Sequence, residues 1–422
     1  MSEITKKALE DLNSYNFWDN QAIPVGFERP FYMDQLKPLI GNKLIKVLTG
    51  QRRCGKSHIM RQLIKSLLQE KIPPENILYF NKEIVEFDTI QTHTDLHQLI
   101  KLYEKTRNPK GKCYLFLDEV QNIQGWEKLV NSLSQDYAKD YEVWLTGSNS
   151  TLLSGELATL LSGRYIAYEI FPFSYTEYCE FFKKEKEKKS YLEYLQTGGL
   201  PELFHLSSTE IKRHYVQSLL DSIVLKDIVQ RYSIKDSYLL ERVFKFLIDN
   251  IGNTFSIKSI VDFLTSHHVK TNHETISNYI QYLKQTFVIH EVDRFDIKGK
   301  SILSGSKKYY LNDLAFKNYL SGTFDIGLGK SLENAIFLHF KQNGYQCKIG
   351  KIGTHEIDFI IEKNNQKKYI QVAHSIPNEK VAEREFGNLE KIRDAYEKIV
   401  ITLDDHNLGN KEGIQHIQAW IL

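Results

Sequence analysis

Between about residues 44 and 170 the chain alternates short, nearly continuous apolar runs with stretches whose apolar residues recur at helical spacing. The apolar runs predict strands over 44–49, 77–80, 113–117, 142–146 and 165–170. A strand covered on both faces shows little polar alternation. After His58, the residues Ile59, Met60, Leu63, Ile64, Leu67 and Leu68 mark one buried stripe of a helix. Strand and helix in turn are the sequence form of βαβ units, so the first half reads as α/β with a parallel sheet.

Farther along, residues 190–250 are patterned as helix, broken by the turn Gly198-Gly199-Leu200-Pro201, and read as a helical lid. Three helical stretches follow at 239–251, 256–265 and 273–286, then strand-like runs at 287–295 and 307–311 around IKGKSILSGSKK, the order of a winged helix. Residues 328–422 open with the helix SLENAIFLHFKQNG, continue with a strand pair around Asn364-Asn365, and add a helix and a strand, forming a third αβ module. The charge run KKEKEKK at 183–189 reads as the solvated face of a helix.

Composition narrows the class. With 422 residues, 41% of them hydrophobic, the chain can bury several cores, so it is neither disordered nor linker-like. A formal net charge of +2 leaves no global attraction to nucleic acid or anionic membrane, so any basic surface must be local. Cys54, Cys113, Cys179 and Cys347 form no CxxC pair, which argues against a disulfide framework or zinc site and predicts a reducing, cytoplasmic setting. The charged start lacks a signal-type apolar core, and no stretch reaches the roughly 18 apolar residues of a membrane span, so neither export nor insertion is expected.

Gly50-Gln51-Arg52-Arg53-Cys54-Gly55-Lys56-Ser57 matches GxxxxGK[ST] between an apolar strand and an amphipathic helix, the context a P-loop needs. Its glycines let successive backbone N–H groups face phosphate oxygens. Lys56 is expected on the β/γ-phosphates and Ser57 on Mg²⁺, with His58 closing the nucleotide-binding set Gly50–His58. The run CYLFL ends in Asp118 and Glu119, read as magnesium ligand and general base. Thr146 and Ser148, at the end of the next strand, are placed near the γ-phosphate or the attacking water. Arg164 reads either as an arginine finger for a neighbouring subunit or as a surface arginine, and Glu83 is a weaker candidate.

Together GQRRCGKS, Leu117-Asp118-Glu119, Leu145-Thr146-Gly147-Ser148, LSGRY and FPFSYTE resemble the prokaryotic AAA+ ATPase family that carries a C-terminal domain of unknown function. GGLP, Lys226-Asp227-Ile228 and Glu356-Ile357-Asp358-Phe359 agree with that likeness. The resemblance implies an AAA+ core over 1–175, a helical lid over 176–237, a winged helix over 238–325 and a C-terminal module resembling PD-(D/E)XK nucleases over 326–422. In the nuclease pattern, Glu333 and Asp358 fit two metal-binding places. Gln371-Val372-Ala373 stands where Glu-x-Lys is wanted, leaving His374 or Lys368 as substitutes for the lysine. Alternation on the strand turns His374 away from a site that Gln371 and Ala373 face.

The expected activity is Mg²⁺-dependent ATP hydrolysis driving a switch or motor. DNA is one partner reading: Lys270, Asn272, His273, Asn278 and Gln281 lie on the third helix, and Lys298, Lys300, Lys307 and Lys308 on the wing. The alternative is a regulatory ATPase that gates a protein partner, with the nuclease-like module as docking surface. An ATP-driven endonuclease is a lesser reading, and a homo-oligomer is implied if Arg164 acts between subunits.

Overall fold

The computed structural model describes residues 3–153, 161, 163–321 and 327–422. They divide into two compact units, Met1–Ile170 and Phe171–Leu422.

In the first unit five parallel strands run in the order β2-β3-β4-β1-β5. They are β1 (Ile45–Thr49), β2 (Ile77–Asn81), β3 (Cys113–Asp118), β4 (Tyr141–Gly147) and β5 (Tyr165–Glu169). Helices α1 (Glu3–Asn13) and α2 (Pro30–Leu36) precede the sheet; α3 (Lys56–Gln69), α4 (His93–Arg107) and α5 (Trp126–Ser134) connect its strands. Strand neighbours point to opposite faces, and both faces are covered along β1–β4, whereas the edge strand β5 is only half-buried. Val47, Leu117 and Leu145 pack with Leu99 of α4 and Val130 of α5, whereas Leu48, Phe116 and Trp144 pack with Ile59, Leu63 and Leu67 of α3. Each such side chain taken from water stabilises the fold by roughly 1.5–3 kcal/mol. Covered faces explain the unbroken apolar runs. Exposed Leu44 falls outside β1, and β3 extends one residue to include Asp118, correcting the expected bounds. Thr92 caps α4 by exchanging hydrogen bonds with Asp95.

The second unit begins with helices Tyr175–Phe182 and Lys188–Thr197. Most of the charge run expected on a helix face instead bridges them: Lys183 ends the first helix in the left-handed region, φ 53°, and Glu187 caps the second, leaving Lys188 and Lys189 in its first turn. Helix Thr209–Ser222 continues into the π-helical turns Ile223–Gln230. Helices Ser237–Asp249, Ile257–Ser266 and His273–Gln285 accompany strands β6 (Thr254–Phe255), β7 (Ile289–Asp296) and β8 (Ser301–Leu311). After helix Leu328–Gln342 come β9 (Gln346–Ile352), β10 (His355–Lys363), β11 (Gln366–Val372), helix Glu379–Glu390, β12 (Glu397–Thr402), β13 (Asn410–Lys411) and β14 (Ile414–Gln418).

Among the described residues, the nine strands of this unit form one sheet, β13-β14-β12-β11-β10-β9-β7-β8-β6. The sequence pattern did not predict β9, which pairs in parallel with β7, Arg294 opposite Ile349. The two modules expected on either side of residues 325/326 therefore share a continuous hydrogen-bonded ladder; that boundary itself lies outside the described residues. Asn364 and Asn365 take φ values of 52° and 61°, the two left-handed residues of a tight hairpin between β10 and β11.

Candidate nucleotide site

The loop after β1 curls because two glycines permit it. Gly50 has φ +143°, and a Cβ there would lie 2.2 Å from the Ile170 carbonyl oxygen. Gly55, at φ +100°, immediately precedes α3, whose first N–H groups open toward the loop. Arg29 steadies the loop from behind, its guanidinium donating to the Cys54 carbonyl at 3.1 Å.

Lys56 is almost fully buried; its ammonium donates to the carbonyls of Gly50 and Gln51, each at 3.0 Å, and stands 3.8 Å from Glu119 Oε1. Because β3 and β4 are neighbours and β4 lies beside β1, the carboxyl ends of all three strands meet at this loop. Asp118 is completely buried there. It accepts from Tyr79 Oη at 2.7 Å, from Thr146 Oγ1 and from the Ser57 hydroxyl. Burial, and next the neighbouring Glu119 charge, push its carboxyl above the usual range against those three donors.

Thr146 ties the two acids together, donating to Asp118 while accepting from the Glu119 N–H at 2.9 Å. Glu119 holds a left-handed backbone, φ 55°, and its Oε2 accepts from Gln121 Nε2. The same Gln121 nitrogen reaches Ser148 Oγ at 3.5 Å. Lys56, Ser57, Tyr79, Asp118, Glu119, Gln121, Thr146 and Ser148 thus form one connected polar cluster beside the loop.

Residues 42–179 match the AAA domain family, and residues 188–326 match a domain of unknown function, DUF8612. Over 400 residues the chain is 36% identical to an uncharacterized protein of Haemophilus influenzae, covering 93% of this chain and 98% of that one. An uncharacterized protein of Methanocaldococcus jannaschii is 33% identical over 400 residues, covering 90% of this chain and 85% of its own. The chain belongs to one family with these two proteins, within the P-loop ATPase superfamily. A solved structure, the RuvB Holliday junction branch migration motor of Thermotoga maritima, shares 15% identity over 67% of this chain and 91% of that one, with a TM-score of 0.32, too loose a likeness to carry any argument.

The remaining candidates in the AAA domain are more scattered. Arg52 forms an ion pair with Glu83 at 2.7 Å, which gives the weaker candidate a partner in the loop. Arg53 sits at φ 67°. Cys54 is buried, and burial raises its thiol. His58 is held to about 4, by burial first and Arg61 second, so its ring is neutral near pH 7. Arg164 is exposed before β5 and donates to Asn131 Oδ1 at 3.0 Å. Sequence reasoning missed Tyr79 and Gln121. Tyr79 lies on a strand read only as apolar, and Gln121 follows the acids at a distance that has meaning only once the turn after β3 is known.

In the second unit, Glu333 and Asp358 converge on Lys308, a residue that the sequence pattern places on the wing. Gln371 is buried, with Oε1 lacking a hydrogen-bond partner; it stands in register with Val400 of the cluster under helix Glu379–Glu390. Neither expected substitute for the lysine joins them: Lys368 pairs with Glu397 at 2.7 Å, and His374 is exposed. Lys307 pairs with Glu291 at 2.8 Å and Asp293 at 3.1 Å, so Lys307 and Lys308 are both committed within the unit. Lys298 and Lys300 are exposed, as are Lys270, Asn272, His273, Asn278 and Gln281. No helix among the described residues is long and apolar enough to cross a membrane.

Proposed function

We propose that the protein binds ATP with Mg²⁺ and hydrolyses it, using the cluster at the ends of β1, β3 and β4, and that turnover drives a conformational switch coupled to DNA. The observation that carries this reading is the meeting of buried Lys56, Asp118, Glu119, Thr146 and Ser148 with half-buried Ser57 beside the Gly50–Gly55 loop. The residues fit the ligand: the loop is too tight for side chains at Gly50, and a helix start and an ammonium favour a polyphosphate.

In this reading Gly50–His58 hold the phosphates, Lys56 neutralises their charge, and Ser57 and Asp118 hold the metal, which withdraws charge from the phosphate oxygens when bound. Glu119 accepts the proton of the attacking water, while Gln121 and the Thr146 hydroxyl fix its direction. Ser148 contacts the γ-phosphate or that water. Arg164 completes the site of a neighbouring copy. Arg164→Ala should lower ATP turnover while leaving nucleotide affinity and the sedimentation coefficient unchanged; full activity, or a strict monomer under assay conditions, removes the role.

Coupling to DNA rests on the exposed polar face of helix His273–Gln285 with Lys298 and Lys300 nearby in sequence. Steady-state ATPase with and without double-stranded DNA at low salt tests it, with Lys56→Ala as blank. Stimulation that fades as salt rises is expected, because phosphate contacts release counterions. The pairing of Lys307 and Lys308 within their own unit favours a second reading, in which a protein partner is gated. A rate above the blank that DNA does not change would select it.

A further inference from the structure

A nuclease reading of residues 326–422 requires Glu333 and Asp358 to hold a divalent cation. The residues present do not fit that requirement, because another cation from the same chain stands among them. Lys308 Nζ lies 2.7 Å from Glu356 Oε1, 2.9 Å from Glu333 Oε1 and 3.9 Å from Asp358 Oδ1. Its side chain is only 4% exposed.

Three elements contribute the carboxylates and the ammonium: helix Leu328–Gln342 carries Glu333, β10 carries Glu356 and Asp358, and β8 carries Lys308. Each acid also has a neutral donor. Tyr310 Oη donates to Glu333 at 2.6 Å, Thr254 Oγ1 to Glu356 at 3.2 Å and the Val372 N–H to Asp358 at 2.8 Å. β8 lies between β6 and β7, with Lys308 opposite both Thr254 and Val292, so its backbone is fixed on both sides. A β-bulge in β10 between Ile357 and Ile360 interrupts alternation where Asp358 enters the cluster.

A small divalent cation sits about 2.0–2.1 Å from carboxylate oxygens and needs the same lone pairs that Lys308 now uses. Two cations cannot share them in a buried site without strong repulsion. Burial alone would lower the lysine, but Glu333, Asp358 and Glu356 outweigh it and hold the ammonium charged well above its ordinary value.

We propose that Lys308 takes the place of a divalent cation in this module, forming a closed ion-pair lock that joins β8 to β10 and to helix Leu328–Gln342 and excludes metal. The lysine absent at Ala373 is not replaced within its own strand. A lysine from a distant part of the chain fills the cation position itself, so the module is a joint between the β6–β8 region and the C-terminal strands.

Mn²⁺ binding to the full chain without nucleotide, followed by electron paramagnetic resonance, tests the lock. The wild type should hold no Mn²⁺ that Asp358→Asn removes. Lys308→Met should gain one bound Mn²⁺ that is lost again in Lys308→Met/Asp358→Asn, and Mn²⁺ should raise the melting temperature of Lys308→Met by more than that of the wild type or of Lys308→Met/Asp358→Asn. Wild-type Mn²⁺ binding abolished by Asp358→Asn would overturn the proposal, as would a folded Lys308→Met that gains no Mn²⁺. If Lys308→Met does not fold, the wild type compared with Asp358→Asn still decides, since a metal-binding wild type refutes exclusion and a metal-free one upholds it.

Discussion

Lys56→Ala should abolish ATP turnover and nucleotide binding together. The ammonium is the buried positive charge that the loop presents between β1 and α3, pinned by the Gly50 and Gln51 carbonyls at 3.0 Å. Alanine leaves the loop glycines and the helix start intact but deletes the charge that offsets the phosphates in both ground and transition states. Loss of a preorganised electrostatic donor of this kind lowers turnover by about 10²–10³-fold. Equilibrium binding of a fluorescent ATP analogue and steady-state phosphate release, measured on the same preparation, check it. Wild-type affinity in the variant would mean that the loop is not the phosphate site, and the proposed activity would fall with it.

Glu119→Gln should separate binding from chemistry. Glutamine matches the shape of glutamate and keeps an acceptor for Gln121 Nε2, while the backbone N–H still donates to Thr146 Oγ1 at 2.9 Å. What disappears is the ability to take a proton from water, and loss of a positioned general base lowers turnover by about 10²–10⁴-fold. ATP affinity should stay close to that of the wild type, so single-turnover experiments should find intact ATP on the protein long after the wild type has converted it. If binding is lost instead, Glu119 supports the loop through Lys56, 3.8 Å away, and the base must be sought elsewhere.

The two variants also separate what was legible in the sequence from what was not. The P-loop could be read from residue order because its chemistry is local: a strand, a loop of six residues and a helix start are contiguous, and glycine positions directly set where the backbone can curl. Asp118 and Glu119 were legible for a similar reason, since an apolar run ending in two acids marks a strand end. The partners of those acids were not. Tyr79 and Thr146 reach Asp118 from other strands, and only the order β2-β3-β4-β1 brings them there.

The second unit shows the same limit more sharply. Periodicity located its helices, the hairpin at Asn364-Asn365 and the run that became β8. It gave no sign that β9 would pair with β7, and without that pairing Lys308 reads as one of four lysines on a solvated wing. The charge pattern KKEKEKK misled because like composition serves equally for a helix face and for a loop; the left-handed turn at Lys183 decided between them.

By itself the sequence determined the α/β class of the first unit, its strands and the helices between them, the loop that matches the P-loop pattern and the two acids at the end of β3. Each depends on side chains within one turn, one strand or one loop, where neighbours along the chain are neighbours in space. Tertiary structure alone decided which strand ends meet, how Thr146 and Gln121 hold Glu119, and that Lys308 lies among Glu333, Glu356 and Asp358 rather than in solvent. These arrangements come from strand pairing between distant segments, and burial gives that pairing its energy without leaving a local mark in the residue order.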